Sequence, residues 1–330
     1  MFGYRKPSRP ATPQPATARQ AASLQSAQGP TMGTEWAADF VTRDDVKAKV
    51  VALLQQAVDL VDGQMSTWKP ASDLSRVNAA PVGDWVPVPA ELAFVVRQAI
   101  ALGRATSGAF DITVGSQVDA WGFGPPGMTD PPLSSLPSAG SGALELSPDE
   151  TALRKTAPLS LDLSGIAKGY GVDLMAKVLE AAGIVDYLVI LDGELRLRGR
   201  KPGAEGRWSI ALDAPVGGAR EAWDALEPQD GALATSGDYR HFRLKDGKAL
   251  AHTIDPATGR PLDNGIASVT VFDPQCWRAD ALATALMVLG PQKGIALAQA
   301  RNIPALFLLR DDDGISERVT GPFDELCRGG

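Results

Sequence analysis

In "RADALATALMVLG", residues 278–290, Asp280 and Thr284 stand among alanines and leucines. A helical reading stacks them on one face, one turn apart. Asp is uncommon in apolar surroundings unless it is paired, hydrogen-bonded or metal-bound. Two explanations fit. One is a carboxylate and a hydroxyl aimed together at a hard cation. The other is an early-turn acid facing the helix dipole, with a threonine bonding its i−4 carbonyl.

A second candidate is "LSLDLSGIAKGYGVD", residues 159–173. The pattern runs from a strand into Ser164, Gly165 and a helix. Free N–H groups at a helix start attract anions, Gly165 allows close approach to the backbone, and Lys168 one turn in could reach the same anion. The plainer reading is a Ser164 N-cap and a packing glycine. Neither G-x-x-x-x-G-K-[ST] nor G-x-G-x-x-G is present, so this is no standard phosphate loop. In "AHTIDPATGRPL", residues 251–262, His252 precedes a turn that Asp255 would organise. His252 is a candidate proton acceptor, because imidazole ordinarily titrates near 6.5; the alternative is a structural histidine. "ATSGDYR" sets Thr235 and Ser236 beside a glycine, as a contact to a ligand or a simple turn would want. Met32, Met65 and Trp68 lie among small polar residues, where sulfur and an aromatic face can sandwich a flat ring or pack a core.

Composition narrows the chemistry. The 330 residues carry a net charge of −7 and no basic block, which excludes an electrostatic nucleic-acid surface. Two cysteines and two histidines lack zinc spacing, so a metal would take oxygen ligands, as Mg²⁺ or Ca²⁺ do. One disulfide, Cys276–Cys327, is possible and nothing requires it. No uninterrupted run of 18 apolar residues occurs, so no membrane span is expected. The Pro-, Ala- and Gln-rich residues 1–30 read as a disordered lead-in without an apolar signal core, and a single domain as spanning 31–330. As it stands the sequence places the protein in the cytoplasm, or in the periplasm if an export segment precedes it.

The elements that must position these residues follow from periodicity. "TEWAADFV" alternates as a strand, and residues 44–65 carry a helical apolar stripe with Asp44 as N-cap. Residues 65–88 read as a polar loop before a short strand. A helix covers 89–107, with Pro89 at its first turn. "GAFDITVG" reads as extended, and 124–150 as a long surface loop ending in a strand. "TALRKT" and "LSLDL" are predicted strands, followed by the 164–183 helix. "DYLVILDGELRLRGRK", "GRWSIALDAP", "GALATSGDY", "HFRLKD", "AHTIDP" and "IASVTVF" are further strands. Helices near 278–290 and 291–301 lead into the strand "PALFLLR". Strands follow one another without regular crossover helices, which predicts an α+β fold of mixed, mostly antiparallel sheets with flanking helices.

In this order the segments "MGT", "MSTW", "SDLSRVN", "GAFDITVG", "WGFG", "LDLSGIAKGYGVD", "ATSGDYR", "HTIDPATGRP" and "ADALATALMVLG" resemble the ApbE family, the FAD:protein FMN transferases. The match runs from about residue 31 to 325. The resemblance implies an ApbE-like fold with a flavin cleft between two subdomains, FAD as bound nucleotide and Mg²⁺ on its diphosphate. It implies transfer of FMN to a Thr or Ser hydroxyl of a flavin-acceptor protein, with release of AMP. A Mg²⁺-dependent FAD pyrophosphatase giving FMN and AMP, or a non-catalytic flavin carrier, are the alternatives. Carried over by motif, Gly165 (through its carbonyl), Asp280 and Thr284 fall at the metal positions. Met32, Trp68, Ala109, Phe110, Asp111, Asp162, Lys168, Ser236 and His252 fall at nucleotide positions. His252 and Asp280 are the candidates for moving the acceptor's proton. The chain departs from the family's "LVNxGG" with Ile190 and Asp192 in "LVILDGEL", and has Ser72-Asp73 where Ser-Glu is usual.

Overall fold

The structure, a computed structural model, describes residues 22–328 except 126–139, 204–205, 216–221, 240–241, 246–247 and 313. The chain opens with an antiparallel hairpin, β1 (Ser23–Thr31) and β2 (Thr34–Thr42). Then come α1 (Asp44–Met65), α2 (Asp73–Ala79), β3 (Trp85–Pro87), α3 (Ala90–Ala105) and α4 (Gly115–Ala120). Strands β4 (Leu144–Leu146) and β5 (Ala152–Lys155) lead to α5 (Ala167–Ala181). The second half runs β6 (Tyr187–Leu191), β7 (Glu194–Arg198), β8 (Ile210–Asp213), β9 (Ala222–Leu226) and β10 (Gly231–Gly237). Next are β11 (Phe242–Lys245), β12 (Lys248–Ala251), β13 (Ile254–Asp255), β14 (Arg260–Pro261) and β15 (Ile266–Asp273). The chain ends with α6 (Cys276–Ala300), β16 (Ala305–Asp311), β17 (Gly314–Thr320) and α7 (Phe323–Cys327).

Eight strands form one sheet in the order β1-β2-β6-β7-β10-β15-β16-β17, every neighbouring pair antiparallel. The fold is α+β, as the sequence of elements predicts. Alternation along the strands feeds two layers. Val189 and Leu191 of β6 face Val172, Met175 and Leu179 of α5, while Leu188 packs on the opposite face with Trp208, Leu226 and Phe323. Ala234, Val269 and Val271 meet Ala279, Leu282 and Leu286 of α6. All eight residues of β15 are buried, as suits a strand covered on both faces. A second core holds α2, α3 and the β3-β5-β4 sheet against the start of α5 and one side of α6.

Charges fix how α5 lies on the sheet. Glu194, Arg196 and Arg198 share the helix-facing side of β7. Lys168 of α5 pairs with Glu194 at 2.9 Å, Asp173 with Arg196 at 2.7 Å, and Glu180 with Arg198 at 3.4 Å. Asp173 also accepts the Trp277 backbone N–H at 3.0 Å, which ties the first turn of α6 to α5.

Several expectations change. Residues 23–30 of the expected lead-in belong to a full strand, 23–31, paired residue for residue with 34–42, so the fold begins earlier; residues 1–21 lie outside the described residues. Arg43, not Asp44, occupies the N-cap of α1, and no side chain caps it. The loop after α1 contains α2, started by Ser72, which accepts the Ser75 N–H at 3.0 Å; a polar helix this short leaves almost no apolar period to read. "GAFDITVG" is a series of turns entering α4, and "LSLDL" contributes one bridge, Ser160 to Val114, rather than a strand. Residues 126–139 of the expected 124–150 loop lie outside the described residues; its closing strand is β4. Both cysteines are free and buried. Helix α6 has the length and composition to cross a membrane, yet half of it is buried here, with a break at Gly290 and Pro291 that separates the two helices expected.

Candidate active site

A cleft of about 650 Å³ opens between the two cores. The smaller core contributes Trp68, Ala109, Phe110, Asp111 and Asp162. The sheet and its helices contribute Met32, Gly165, Lys168, Ser236, His252, Asp280 and Thr284. Residues drawn from seven separate motifs thus line a single cavity of ligand-binding size.

At its floor two helices come unusually close. A Cβ on Gly169 would lie 2.5 Å from the Cys276 carbonyl oxygen and 2.8 Å from Asp280 Cβ, so only glycine allows this contact between α5 and α6. The Gly169 N–H donates to Asp280 Oδ2 at 3.0 Å. Asp280 is therefore no early-turn acid answering its own helix dipole. One turn on, Thr284 Oγ1 exchanges a hydrogen bond with Ser236 Oγ at 3.1 Å. The same hydroxyl would lie 3.0 Å from a Cβ on Gly165, which places the Gly165 backbone against Thr284. Ser164 is not the N-cap of α5, a position taken by Ile166; its N–H donates to Asp162 Oδ1 at 2.8 Å, which braces the turn carrying Gly165.

The charge balance of this floor is uneven. Asp280 is only 4% exposed. Burial first, then the Glu194 carboxylate, push its pKa up to about 8, against the opposing pull of Lys168 and the Gly169 N–H. Burial opposes the charge on Lys168, but Glu194, Asp280 and Asp192 together hold its pKa above the ordinary lysine value. The second oxygen of Glu194, Oε2, is buried with no hydrogen-bond partner. Asp192 and Glu194 already outweigh the one ammonium of Lys168, and ionising Asp280 beside them adds negative charge that a bound cation would relieve.

The walls are built differently. Trp68 is 60% exposed, yet its loop is closed by Ser72 Oγ, which donates to the Ser66 carbonyl at 2.6 Å. Met32 turns the β1–β2 hairpin with φ +46, and its Cε reaches toward Gly171. Asp111 accepts from the Thr113 N–H and hydroxyl at 2.9 and 2.8 Å, and burial raises its pKa. His252 follows β12 and faces the cleft just before the turn that Asp255 organises; the Asp255 carboxylate accepts the Ala257 N–H and the Thr258 hydroxyl at 2.9 and 3.0 Å. Met65 belongs to the core rather than the cleft.

A sequence model described as the ApbE family matches residues 32–307. The chain belongs to the ApbE family. It is 40% identical over 304 residues to the FAD:protein FMN transferase of Vibrio cholerae, with 89% of this chain and 90% of that protein covered. It is 34% identical over 327 residues to the FAD:protein FMN transferase of Escherichia coli K12, covering 94% and 91%. Among solved structures, the flavin transferase ApbE from Vibrio cholerae superposes with a TM-score of 0.83 at 37% identity, covering 92% of this chain and 99% of that one. The apo flavinyl transferase ApbE of Pseudomonas stutzeri gives 0.82 at 37% identity, covering 96% and 100%.

Two charged cleft residues escaped the chemical reading of the sequence. Glu194 lies in a strand of alternating Leu and Arg, where an acid reads as solvent-facing; only its helix-side register, shared with Arg196 and Arg198, marks it as inward. Arg243 faces the cleft from β11, against Gly122, and nothing in "HFRLKD" sets it apart from an ordinary strand cation. Asp192 stood out only as a departure from the family pattern.

Proposed function

We propose that this ApbE-family chain is an FAD:protein FMN transferase: a Thr or Ser hydroxyl of an acceptor protein attacks the FMN phosphorus of FAD, and AMP leaves. The observation that carries the reading is the convergence of Asp280, Thr284 and the Gly165 backbone beside Lys168 in a cleft that also presents Trp68 and Met32. In the reaction a P–O bond forms to the acceptor oxygen, the P–O–P link to AMP breaks, and the hydroxyl proton passes to a base. His252 faces the cleft and is the candidate base, with Asp280 the other carrier within it.

The donor set fits Mg²⁺. Among the described residues no group of three or more His, Cys, Asp or Glu side chains could hold a metal ion. That suits a hard cation held by one carboxylate, one hydroxyl and one carbonyl, its other positions left to water and phosphate oxygens. Asp280, Thr284 and the Gly165 carbonyl would hold it, and the surplus carboxylate charge beside them supports a cation there. Bound there, Mg²⁺ supplies Lewis-acid neutralisation of charge on the diphosphate. Lys168, kept protonated by Glu194, adds a fixed positive charge at the same floor. Trp68 and Met32 offer the flat and polarisable surfaces that a ring system stacks on.

The test is to incubate the protein with FAD, Mg²⁺ and a recombinant flavin-acceptor domain, then to measure the intact mass of the acceptor. An increase equal to one FMN less water, lost when the acceptor hydroxyl is removed, is the expected result. Free FMN with an unmodified acceptor would assign the site to FAD hydrolysis instead. Bound but unconverted FAD would make the protein a carrier.

A further inference from the structure

The described residues lining the cleft include five carboxylates, Asp111, Asp162, Asp192, Glu194 and Asp280, against two strong cations, Lys168 and Arg243. A dinucleotide diphosphate is itself an anion. Lys168 is the floor's positive group, and Glu194 at 2.9 Å already gives it a close, buried partner. Asp192 adds a second carboxylate at 3.5 Å from the same ammonium. Its other oxygen accepts from the Thr34 hydroxyl at 3.4 Å, and its side chain is one-quarter exposed toward the cleft.

Fold alone does not call for this charge. Asp192 and Gly193 form the two-residue turn between Leu191 and Glu194, with φ +55 and +122. Such a turn wants residues that tolerate positive φ, and Asn or Gly serve there as well as Asp. What distinguishes Asp from either is the carboxylate, and the turn aims it at Lys168.

We infer that Asp192 couples dinucleotide binding to a divalent cation, by occupying Lys168 and repelling a diphosphate that arrives without one. The inference rests on the proposed FAD site. A bare diphosphate meets an ammonium engaged on two sides and a surplus anion at its flank. A diphosphate accompanied by its cation carries less charge, and the repulsion falls.

Titrating the full chain with FAD by flavin fluorescence, in EDTA and in excess Mg²⁺, tests this on wild type, Asp192→Asn and Asp192→Gly. Asn keeps the turn and the size; Gly suits the φ without strain. Both variants should bind metal-free FAD about tenfold more tightly, the scale of one charge removed at short range in a partly wetted site. With Mg²⁺ the gain should largely vanish, so the ratio of metal-free to Mg²⁺ Kd shrinks, and melting temperatures should stay at or above wild type. If wild type binds FAD with Mg²⁺ while neither variant tightens the metal-free Kd, Asp192 is a turn residue and this inference alone fails. If wild type binds no FAD even with Mg²⁺, the proposed function fails and takes this inference with it.

Discussion

Asp280→Asn should stabilise the metal-free protein while disabling it. The amide is nearly isosteric and can still accept the Gly169 N–H now received by Oδ2 at 3.0 Å. It cannot ionise. In the native protein burial and Glu194 raise the Asp280 pKa from 3.8 to about 8, so its charged form is disfavoured in the fold. Desolvating the amide and removing one of Lys168's negative partners offset part of that, so the net gain should be about 1–3 kcal/mol. The sign follows from linkage. Below pH 3.8 the carboxyl is protonated folded and unfolded, and the variant gains nothing. Above it the unfolded chain releases a proton that the folded chain keeps, so the wild-type cost grows with pH and is complete near 8. Thermal melts in EDTA from pH 4 to 8.5 should show a variant advantage that starts near zero and reaches about 2–6 °C. Mg²⁺ should raise the wild-type melting temperature and leave the variant's unmoved. Turnover with Mg²⁺ should fall by at least about 10²-fold, since the sole side-chain charge among the three proposed ligands is lost. A variant less stable than wild type in EDTA at pH 8 would refute the account of the charged floor, and wild-type turnover would remove Asp280 from the metal site.

Gly169→Ala should lower stability by about 1–3 kcal/mol and weaken Mg²⁺ binding, because its Cβ meets the α6 backbone at Cys276, which cannot swing aside. Gly171→Ala is the control, since its Cβ would touch only the Leu191 and Met32 side chains, at 3.2 and 3.9 Å; calorimetry of both with and without Mg²⁺ separates them. Asp119→Asn should stabilise by about 1 kcal/mol at pH 7–8 and by nothing below pH 4. Burial and the neighbouring Asp162 raise the Asp119 pKa to about 6, and solvent on its exposed half screens the effect; paired melts at pH 4 and 7.5 read it. His252→Ala should slow FMN transfer by roughly 10²–10⁴-fold at saturating FAD with little change in the FAD Kd, the pattern of a lost base; both falling together would make His252 a prop for its turn.

The order and type of the larger elements were legible because they are long and strongly patterned. Residues 44–65 carry a helical stripe, 278–290 read as a largely apolar helix, and the sheet strands alternate or run apolar. The twelve cleft residues were legible only through motifs, since no periodicity says that Trp68 and Asp280, 212 positions apart, face one cavity. Short elements went unread where their stabilisation is not local. Helix α2 depends on a Ser72 cap and on burying just Leu74 and Val77. Strand β1 escaped because "SLQSAQGPT" is polar in composition, and its half-exposed edge position asks for little apolar surface. Glu194 was hidden by register: a single-residue shift of β7 would have turned it to the far face of the sheet.

That register connects the sheet to the chemistry. The spacing of two residues along β7 sets Glu194, Arg196 and Arg198 under Lys168, Asp173 and Glu180 of α5. Asp173 spends its other oxygen on the Trp277 N–H, so the start of α6 is positioned by the same ladder. Gly169 then lets the two helices touch, and its N–H holds the Asp280 carboxylate. Each link is polar and buried or half-buried, so it adds a charge register to the fit of the apolar packing. The ladder cannot slide, because every one-turn shift would leave buried charges without partners, at several kcal/mol. A carboxylate that folding itself disfavours is thereby kept within reach of Thr284 and the Gly165 backbone, and only a cation bound among them would turn that cost into function.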